Sequence, residues 1–126
     1  MSSTNPQQHL LSELHKLFLT LKLSHYNTQV YAKHEAYAKA YQSIYSLLDV
    51  ITEQMIGYSG IDFKEAEIGS VYACDVKEQA NKIMTLGASI IEYAKQKSYP
   101  NIENLGQELS GEGAQLMYLS RFVKMI

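Results

Sequence analysis

The stretch "YSGIDFKEAEIGSVYA" (residues 58–73) decides the fold that we predict from this sequence. It is rich in turn-forming residues and separates two segments whose apolar residues have the spacing of amphipathic helices. The segment before it predicts a helix of about 28 residues, which would be ~42 Å long. A connection of about 14 extended residues spans ~46 Å, enough to run the whole length of such a helix. The helices on either side of it would then be parallel.

The two remaining connections, "NTQVY" (27–31) and "KSYPN" (97–101), are short and favour antiparallel neighbours. Two antiparallel pairs joined by one long crossover are typical of the ferritin-like four-helix bundle. We therefore predict an all-α fold with one domain over residues 1–126, in which residues 1–7 form a flexible tail. An up-down bundle with a loose loop is the alternative. The predicted apolar stripes contain Leu11, Leu14, Phe18 and Leu21, then Tyr37, Ile44, Leu48, Ile51 and Met55, then Val76, Ala80, Ile83 and Ile90, and finally Ile102, Leu105, Leu109, Leu116 and Leu119.

Two local features refine this prediction. Asp75, followed three residues later by Glu78, is a capping signal for the third helix. Gly106, Gly111 and Gly113 either weaken the fourth helix or allow another helix to approach it closely.

The composition limits the kinds of partner. Hydrophobic residues make up 46% of the chain, the formal net charge is −2 and the pI is about 6.1. This balance argues against a general attraction to nucleic acid or anionic lipid. Cys74 is the single cysteine, which excludes an intrachain disulfide. The start "MSSTNPQQ" lacks the pattern of a secretion signal, and no apolar run reaches the length of a membrane span. We expect a cytoplasmic protein that binds neither DNA nor membrane.

Four residues near helix-packing faces are candidate metal ligands: His25, His34, Asp49 and Glu53. Buried ionisable groups are costly unless they are paired or bind a metal. Asp49 and Glu53 lie one helical turn apart on the same face. His34 lies fifteen residues before Asp49, which is ~22 Å along a continuous helix. Since metal–ligand bonds are only about 2.0–2.2 Å long, one chain cannot bring His34 and Asp49 to one metal.

Two chains would solve this problem. If two copies of the second helix pack antiparallel about a twofold axis near Tyr41, each His34 faces the partner's Asp49 and Glu53. Such a contact generates two identical sites. His25, at the end of the first helix, would join His34 from the same chain. Mixed nitrogen and oxygen ligands of this kind suit Fe(II), and also Mn or Zn.

At these positions the chain resembles the Dps-type miniferritins. The site motif of that family is His-Trp-Asn, then His-Glu, then Asp and Glu on one long helix, and here it reads His25-Tyr26-Asn27, His34-Glu35, Asp49 and Glu53. Tyr26 stands where the family has Trp, and the spacing from His25 to His34 is shorter than in the family. The resemblance implies a ferroxidase with di-iron sites at a twofold dimer interface, which oxidises Fe(II) with peroxide or dioxygen. It also implies that His34, Asp49 and Glu53 are catalytic, and that the protein is a homo-oligomer, from a dimer up to a shell of twelve subunits.

Other interpretations stay open. All four histidines lie at or before residue 34, which excludes the di-iron centre that ordinary ferritins form within one subunit. A catalytically silent structural or assembly protein, phage-encoded and working in the host cytoplasm, would keep the bundle and the dimer. A metal-binding module without redox chemistry is a third interpretation. We predict that His9 and His15 lie on the surface, and that Tyr37, Tyr41 and Tyr45 serve in packing rather than in electron transfer.

Overall fold

The computed structural model describes residues 5–64 and 70–122, and these residues form four helices and no strand. The all-α prediction with four helices is confirmed. In chain order the helices are α1 (Pro6–Asn27), α2 (Tyr31–Ser59), α3 (Val76–Lys97) and α4 (Pro100–Leu119).

Helix α1 begins earlier than the sequence suggested. The Asn5 side chain accepts hydrogen bonds from the backbone N–H groups of Gln7 (2.9 Å) and Gln8 (3.4 Å), and Pro6 occupies the first turn. Asn and Pro suit these positions, because Asn satisfies the free N–H groups of the first turn and Pro has no N–H to satisfy. Pro6 and Gln7 are therefore helical rather than part of a tail, while residues 1–4 lie outside the described residues.

The other helix ends follow local chemistry. Helix α2 stops at Gly60, whose φ of 72° is the left-handed conformation that glycine adopts without strain. Asp75 precedes α3 at the N-cap position, as predicted, but its side chain makes no capping hydrogen bond. Between α3 and α4 the chain turns at Ser98 and Tyr99 only, with Ser98 also left-handed.

Contacts between helix ends fix the helix directions. The Tyr37 hydroxyl donates a hydrogen bond to the Cys74 carbonyl, so α2 and α3 start at the same end of the bundle and run parallel. The Cys74 N–H donates to Ser24 Oγ (2.9 Å) near the end of α1, so α1 and α3 are antiparallel. The rings of Tyr58 and Tyr99 stack, so the end of α2 meets the start of α4 and these helices are also antiparallel.

The connection between α2 and α3 therefore joins opposite ends of the bundle. Near its start, Gln7 Nε2 donates to the Ile61 carbonyl (3.3 Å) and the Lys64 N–H donates to Gln8 Oε1 (3.2 Å), beside the beginning of α1. At Cys74 the chain lies beside the end of α1. Residues 65–69 between these anchors lie outside the described residues.

One hydrophobic core fills the space between the four helices. Its largest fully buried apolar side chains come from every helix: Leu11, Leu14, Leu21, Ile44, Ile51, Met55, Ile83, Ile90, Ile102, Leu109 and Leu116. Burying a side chain of this size contributes about 1.5–3 kcal/mol relative to leaving it in water. The core therefore holds the outer faces of α1 and α2, which carry the candidate ligands, in a fixed relation.

Helices α3 and α4 approach each other most closely. A Cβ atom added at Gly87 would lie 2.8 Å from the backbone nitrogen of Ser110, and one at Gly113 would lie 2.6 Å from Met84 Cγ. A Cβ at either position would clash with the facing helix unless the two helices moved apart.

Within residues 5–64 and 70–122, no helix combines the length and the apolar character that crossing a bilayer requires.

Candidate metal centre

His25 and His34 form a stacked pair where α1 ends and α2 begins. Their ring centroids are 3.8 Å apart and the ring planes are inclined by 23°. The three-residue turn between the helices produces this contact. The N–H of Thr28 bonds the Ser24 carbonyl (3.1 Å) and Thr28 Oγ1 accepts from the N–H of Val30 (3.2 Å). This connection of residues 28–30 places the last helical turn of α1 against the first helical turn of α2.

Two reciprocal hydrogen bonds fix the orientation of both rings. His25 Nδ1 lies 3.0 Å from the carbonyl oxygen of His34, and His34 Nδ1 lies 3.1 Å from the carbonyl oxygen of His25. A carbonyl oxygen can only accept, so each Nδ1 carries the proton and donates. In the neutral imidazole the other nitrogen, Nε2, then has a free lone pair. Histidine ligands of metals usually have this arrangement, in which a hydrogen bond from one nitrogen sets the tautomer and the ring direction.

Aromatic side chains surround the histidine pair. The Tyr41 ring meets His25 edge-on at 5.2 Å, and Tyr31 lies 6.2 Å from His34. The Lys22 ammonium lies 5.7 Å from the centroids of both Tyr41 and Phe18. Tyr41 was predicted to serve in packing, and its ring does pack on His25 and Phe18. The pair is half-buried rather than part of the apolar core.

Asp49 and Glu53 lie on the exposed side of α2, further along the helix from His34. Because α2 is continuous from Tyr31 to Ser59, the ~22 Å separation expected between His34 and Asp49 applies. Within the described ranges, no group of three or more His, Cys, Asp and Glu side chains lies close enough to share a metal ion. The structure brings His25 and His34 together and leaves the two carboxylates apart from them.

His15 was predicted to be a surface residue, and this prediction is wrong. Its ring is half-buried, stacks on Phe63 at 4.7 Å and lies 3.2 Å from Thr52 Oγ1 through Nε2. Burial lowers the pKa of His15, and the nearby charge of Asp49 partly opposes this shift. The cause is tertiary, because Phe63 arrives from the connection after α2 and covers the ring. His9, by contrast, is exposed as predicted.

Two tyrosines near the histidine pair also have shifted pKa values. Burial, followed by the charge of Asp75, raises the pKa of Tyr37 to about 12. A hydrogen bond to Glu35 and its charge raise the pKa of the exposed Tyr31. Both phenols therefore stay protonated at neutral pH, and the Tyr37 hydroxyl donates to the Cys74 carbonyl.

The chain belongs to a family of unknown function, DUF5856, whose profile matches residues 25–119. The match includes all four candidate ligands, from His25 to Glu53, and helices α2, α3 and α4. Comparison with characterised proteins and with solved structures gave no match.

Sequence reasoning missed two parts of this region. The reciprocal bonds of His25 and His34 depend on the shape of the turn at residues 28–30, which the spacing of histidines does not reveal. The cluster of His15, Thr52 and Phe63 joins three segments that are distant in sequence, and no local pattern marks it.

Proposed function

We propose that the protein binds Fe(II) between two subunits and oxidises it with peroxide or dioxygen, in the manner of a Dps-like miniferritin. His25 and His34 of one subunit donate Nε2 lone pairs, while the partner's Asp49 and the partner's Glu53 provide carboxylate oxygens. The stacked histidine pair, with both Nδ1 protons held by backbone carbonyls, is the observation that carries this proposal.

The helix directions support the proposal. Helix α3 is parallel to α2 and antiparallel to α1, and α4 is antiparallel to α2. The pairs α1/α3 and α2/α4 are thus antiparallel, and the long connection joins opposite ends of the bundle. The proposed ferritin-like bundle with one crossover requires these helix directions.

The exposed surface of α1 and α2 supports a twofold contact. Tyr26, Tyr45 and Leu19 expose 65%, 53% and 43% of their surface there. Exposed apolar side chains grouped on one face mark interaction surfaces more often than single scattered ones do. Asp49 and Glu53 are exposed on α2. An antiparallel copy of α2 would place them opposite the histidine pair.

The ligand set fits iron as a substrate. Two neutral imidazoles and two carboxylates offer the mixed nitrogen and oxygen donors that Fe(II) accepts, and they balance the charge of the ion. The Nδ1–H···O=C bonds hold each imidazole in the tautomer that a metal needs. Both rings are therefore already ordered in the metal-free protein. Oxidation of two Fe(II) ions by one peroxide consumes two protons and yields two Fe(III) and two water molecules.

An anaerobic Fe(II) titration, followed by addition of peroxide, tests the proposal directly. Stoichiometric binding to the wild-type protein and a rise in ferric absorbance after peroxide are expected. His34→Ala should abolish both signals, whereas His9→Ala, at an exposed histidine of α1, should leave them unchanged. Binding without oxidation would replace the proposal with a metal-binding module, and absence of binding would replace it with a catalytically silent bundle.

A complementation experiment tests whether two subunits share the site. One variant carries His25→Ala and His34→Ala, and the other carries Asp49→Ala and Glu53→Ala. Each alone should be inactive, because every site lacks half its ligands. After the two are unfolded, mixed and refolded, about a quarter of the sites should combine intact histidines with intact carboxylates, so about a quarter of wild-type activity should return.

The control for this experiment pairs the histidine variant with Glu108→Ala, an exposed carboxylate of α4. Every chain in this mixture keeps Asp49 and Glu53. Its activity should therefore be in proportion to the fraction of chains that keep His25 and His34. If both double variants refold and their mixture stays inactive, the ligands are not shared between subunits.

A further inference from the structure

Tyr58 and Tyr99 form a second stacked pair, at the opposite end of the bundle from the histidines. Their ring centroids are 4.2 Å apart and their planes differ by 13°. The rings are thus nearly parallel and stacked face to face. Tyr93 approaches Tyr99 edge-on at a longer distance, 6.3 Å.

The backbone holds both rings in place. Tyr99 occupies the N-cap of α4, where its N–H donates to the Ala94 carbonyl (2.9 Å) and its carbonyl accepts from the N–H of Glu103 (3.1 Å). Tyr58 lies in the last turn of α2, which ends at Gly60. The stacked geometry therefore results from two ordered helix ends that meet, and not from two freely rotating surface side chains.

Solvent reaches this pair. Tyr58 exposes 41% of its surface and Tyr99 is partly exposed, so a small oxidant can contact at least one ring. Tyr58 lies five positions after Glu53, which is ~7.5 Å along α2. Measured along the axis of α2, the pair thus lies about one and a half helical turns beyond the carboxylate half of the proposed iron site.

We propose that Tyr58 and Tyr99 are an oxidisable pair that couples to an intrachain dityrosine. Each phenol loses one electron and one proton, and the two resulting phenoxyl radicals join through their ortho carbons. One C–C bond forms, and the hydrogen on each coupled ortho carbon moves to a phenolic oxygen, so that both phenols are restored and the net loss is two hydrogen atoms. With hydrogen peroxide as the terminal oxidant, two phenols and one peroxide give one dityrosine and two water molecules.

This inference goes beyond the proposed function and does not depend on it. The iron site would explain where oxidising equivalents arise in the cell, but any one-electron oxidant suffices for the coupling. The product ties the end of α2 to the start of α4 and removes two oxidising equivalents near the site.

If solvent exposure alone decided which tyrosines are oxidised, other tyrosines would react first. Tyr31 and Tyr72 expose 75% and 72% of their surface, far more than Tyr58. Tyr72 has no aromatic contact within the described residues, and the ring partner of Tyr31 is His34. Their radicals would couple between two chains, at a rate that depends on protein concentration. The stacked pair should couple within one chain at any dilution.

The test uses the full chain and a photochemical one-electron oxidant, a ruthenium tris-bipyridyl complex with persulfate, without iron. Dityrosine fluorescence is followed over a dilution series. Products of single-chain mass are then digested, and fragmentation mass spectrometry locates the linkage. The expected product has lost two hydrogen atoms and joins Tyr58 to Tyr99, in a yield independent of protein concentration.

Phenylalanine variants provide the controls, because phenylalanine keeps the ring stacking and removes the phenol. Tyr58→Phe and Tyr99→Phe should each abolish the single-chain product, whereas Tyr93→Phe should retain it. Dityrosine found only between chains, or a single-chain product that persists in Tyr99→Phe, would overturn the proposal. The Fe(II) titration described above decides the iron site separately, so the two can fail independently.

Discussion

Two glycines of the same helix should respond in opposite ways to substitution by alanine. At Gly113, a Cβ would lie 2.6 Å from Met84 Cγ and 2.9 Å from both the Ala80 carbonyl oxygen and the Met84 backbone nitrogen. At Gly111, two residues earlier, a Cβ would meet nothing within 4 Å. Because both positions are in the interior of α4, their intrinsic helix propensities are comparable.

Two effects determine the expected change in the free energy of unfolding for each substitution. Replacing glycine by alanine inside a helix favours the helix by about 1 kcal/mol. Overpacking of a close contact typically costs about 1–3 kcal/mol. Gly111→Ala should therefore stabilise the protein by about 1 kcal/mol. Gly113→Ala should be neutral to destabilising by about 2 kcal/mol, because two of its clashing atoms belong to the backbone of α3 and cannot rotate away.

Urea unfolding followed by circular dichroism measures this difference, at one fixed protein concentration because association would also change the midpoint. The two variants should differ by about 1–3 kcal/mol, or roughly 3–15 °C in melting temperature for a chain of this size. If their free energies of unfolding agree within about 0.5 kcal/mol, the close approach of α3 and α4 is not present in solution.

Four further outcomes are expected. Fe(II) affinity, measured by calorimetry, should fall between about pH 7.5 and 5.5, because an imidazole must be neutral to coordinate; an unchanged affinity would argue against histidine ligands. Burial lowers the pKa of His15, so unfolding takes up a proton and stability should decrease as the pH falls below about 6.5; His15→Phe should flatten this dependence in urea unfolding. The pKa of Tyr37 is raised to about 12, so the contribution of its protonated phenol to the stability of the folded state is complete below about pH 10 and is lost between pH 10 and 12. The difference in stability between wild type and Tyr37→Phe should therefore shrink over that interval. The amide of Gln79 is fully buried and makes no hydrogen bond within the described residues, so Gln79→Met should stabilise by about 1–2 kcal/mol, and a destabilised variant would indicate a bound partner for that amide.

Packing between distant segments explains what could not be predicted. The sequence left Gly106, Gly111 and Gly113 equivalent, as either weak points or close contacts. The structure separates them, since a Cβ at Gly106 or Gly113 would clash with α3 and one at Gly111 would not. Which side of α4 faces α3 depends on the rotation of both helices about their axes. The core as a whole sets that rotation, which local spacing leaves open.

The sequence by itself determined the four helices, their order and their approximate ends, because apolar periodicity, capping residues and proline act within a few positions. It also determined that His34 and Asp49 are separated along one helix, since a continuous helix fixes the rise per residue. Only the tertiary structure decided that His25 and His34 stack with their Nδ1 protons on each other's carbonyls, and that Phe63 covers His15. These contacts join separate elements, and their geometry is set by how the helices pack rather than by any single segment.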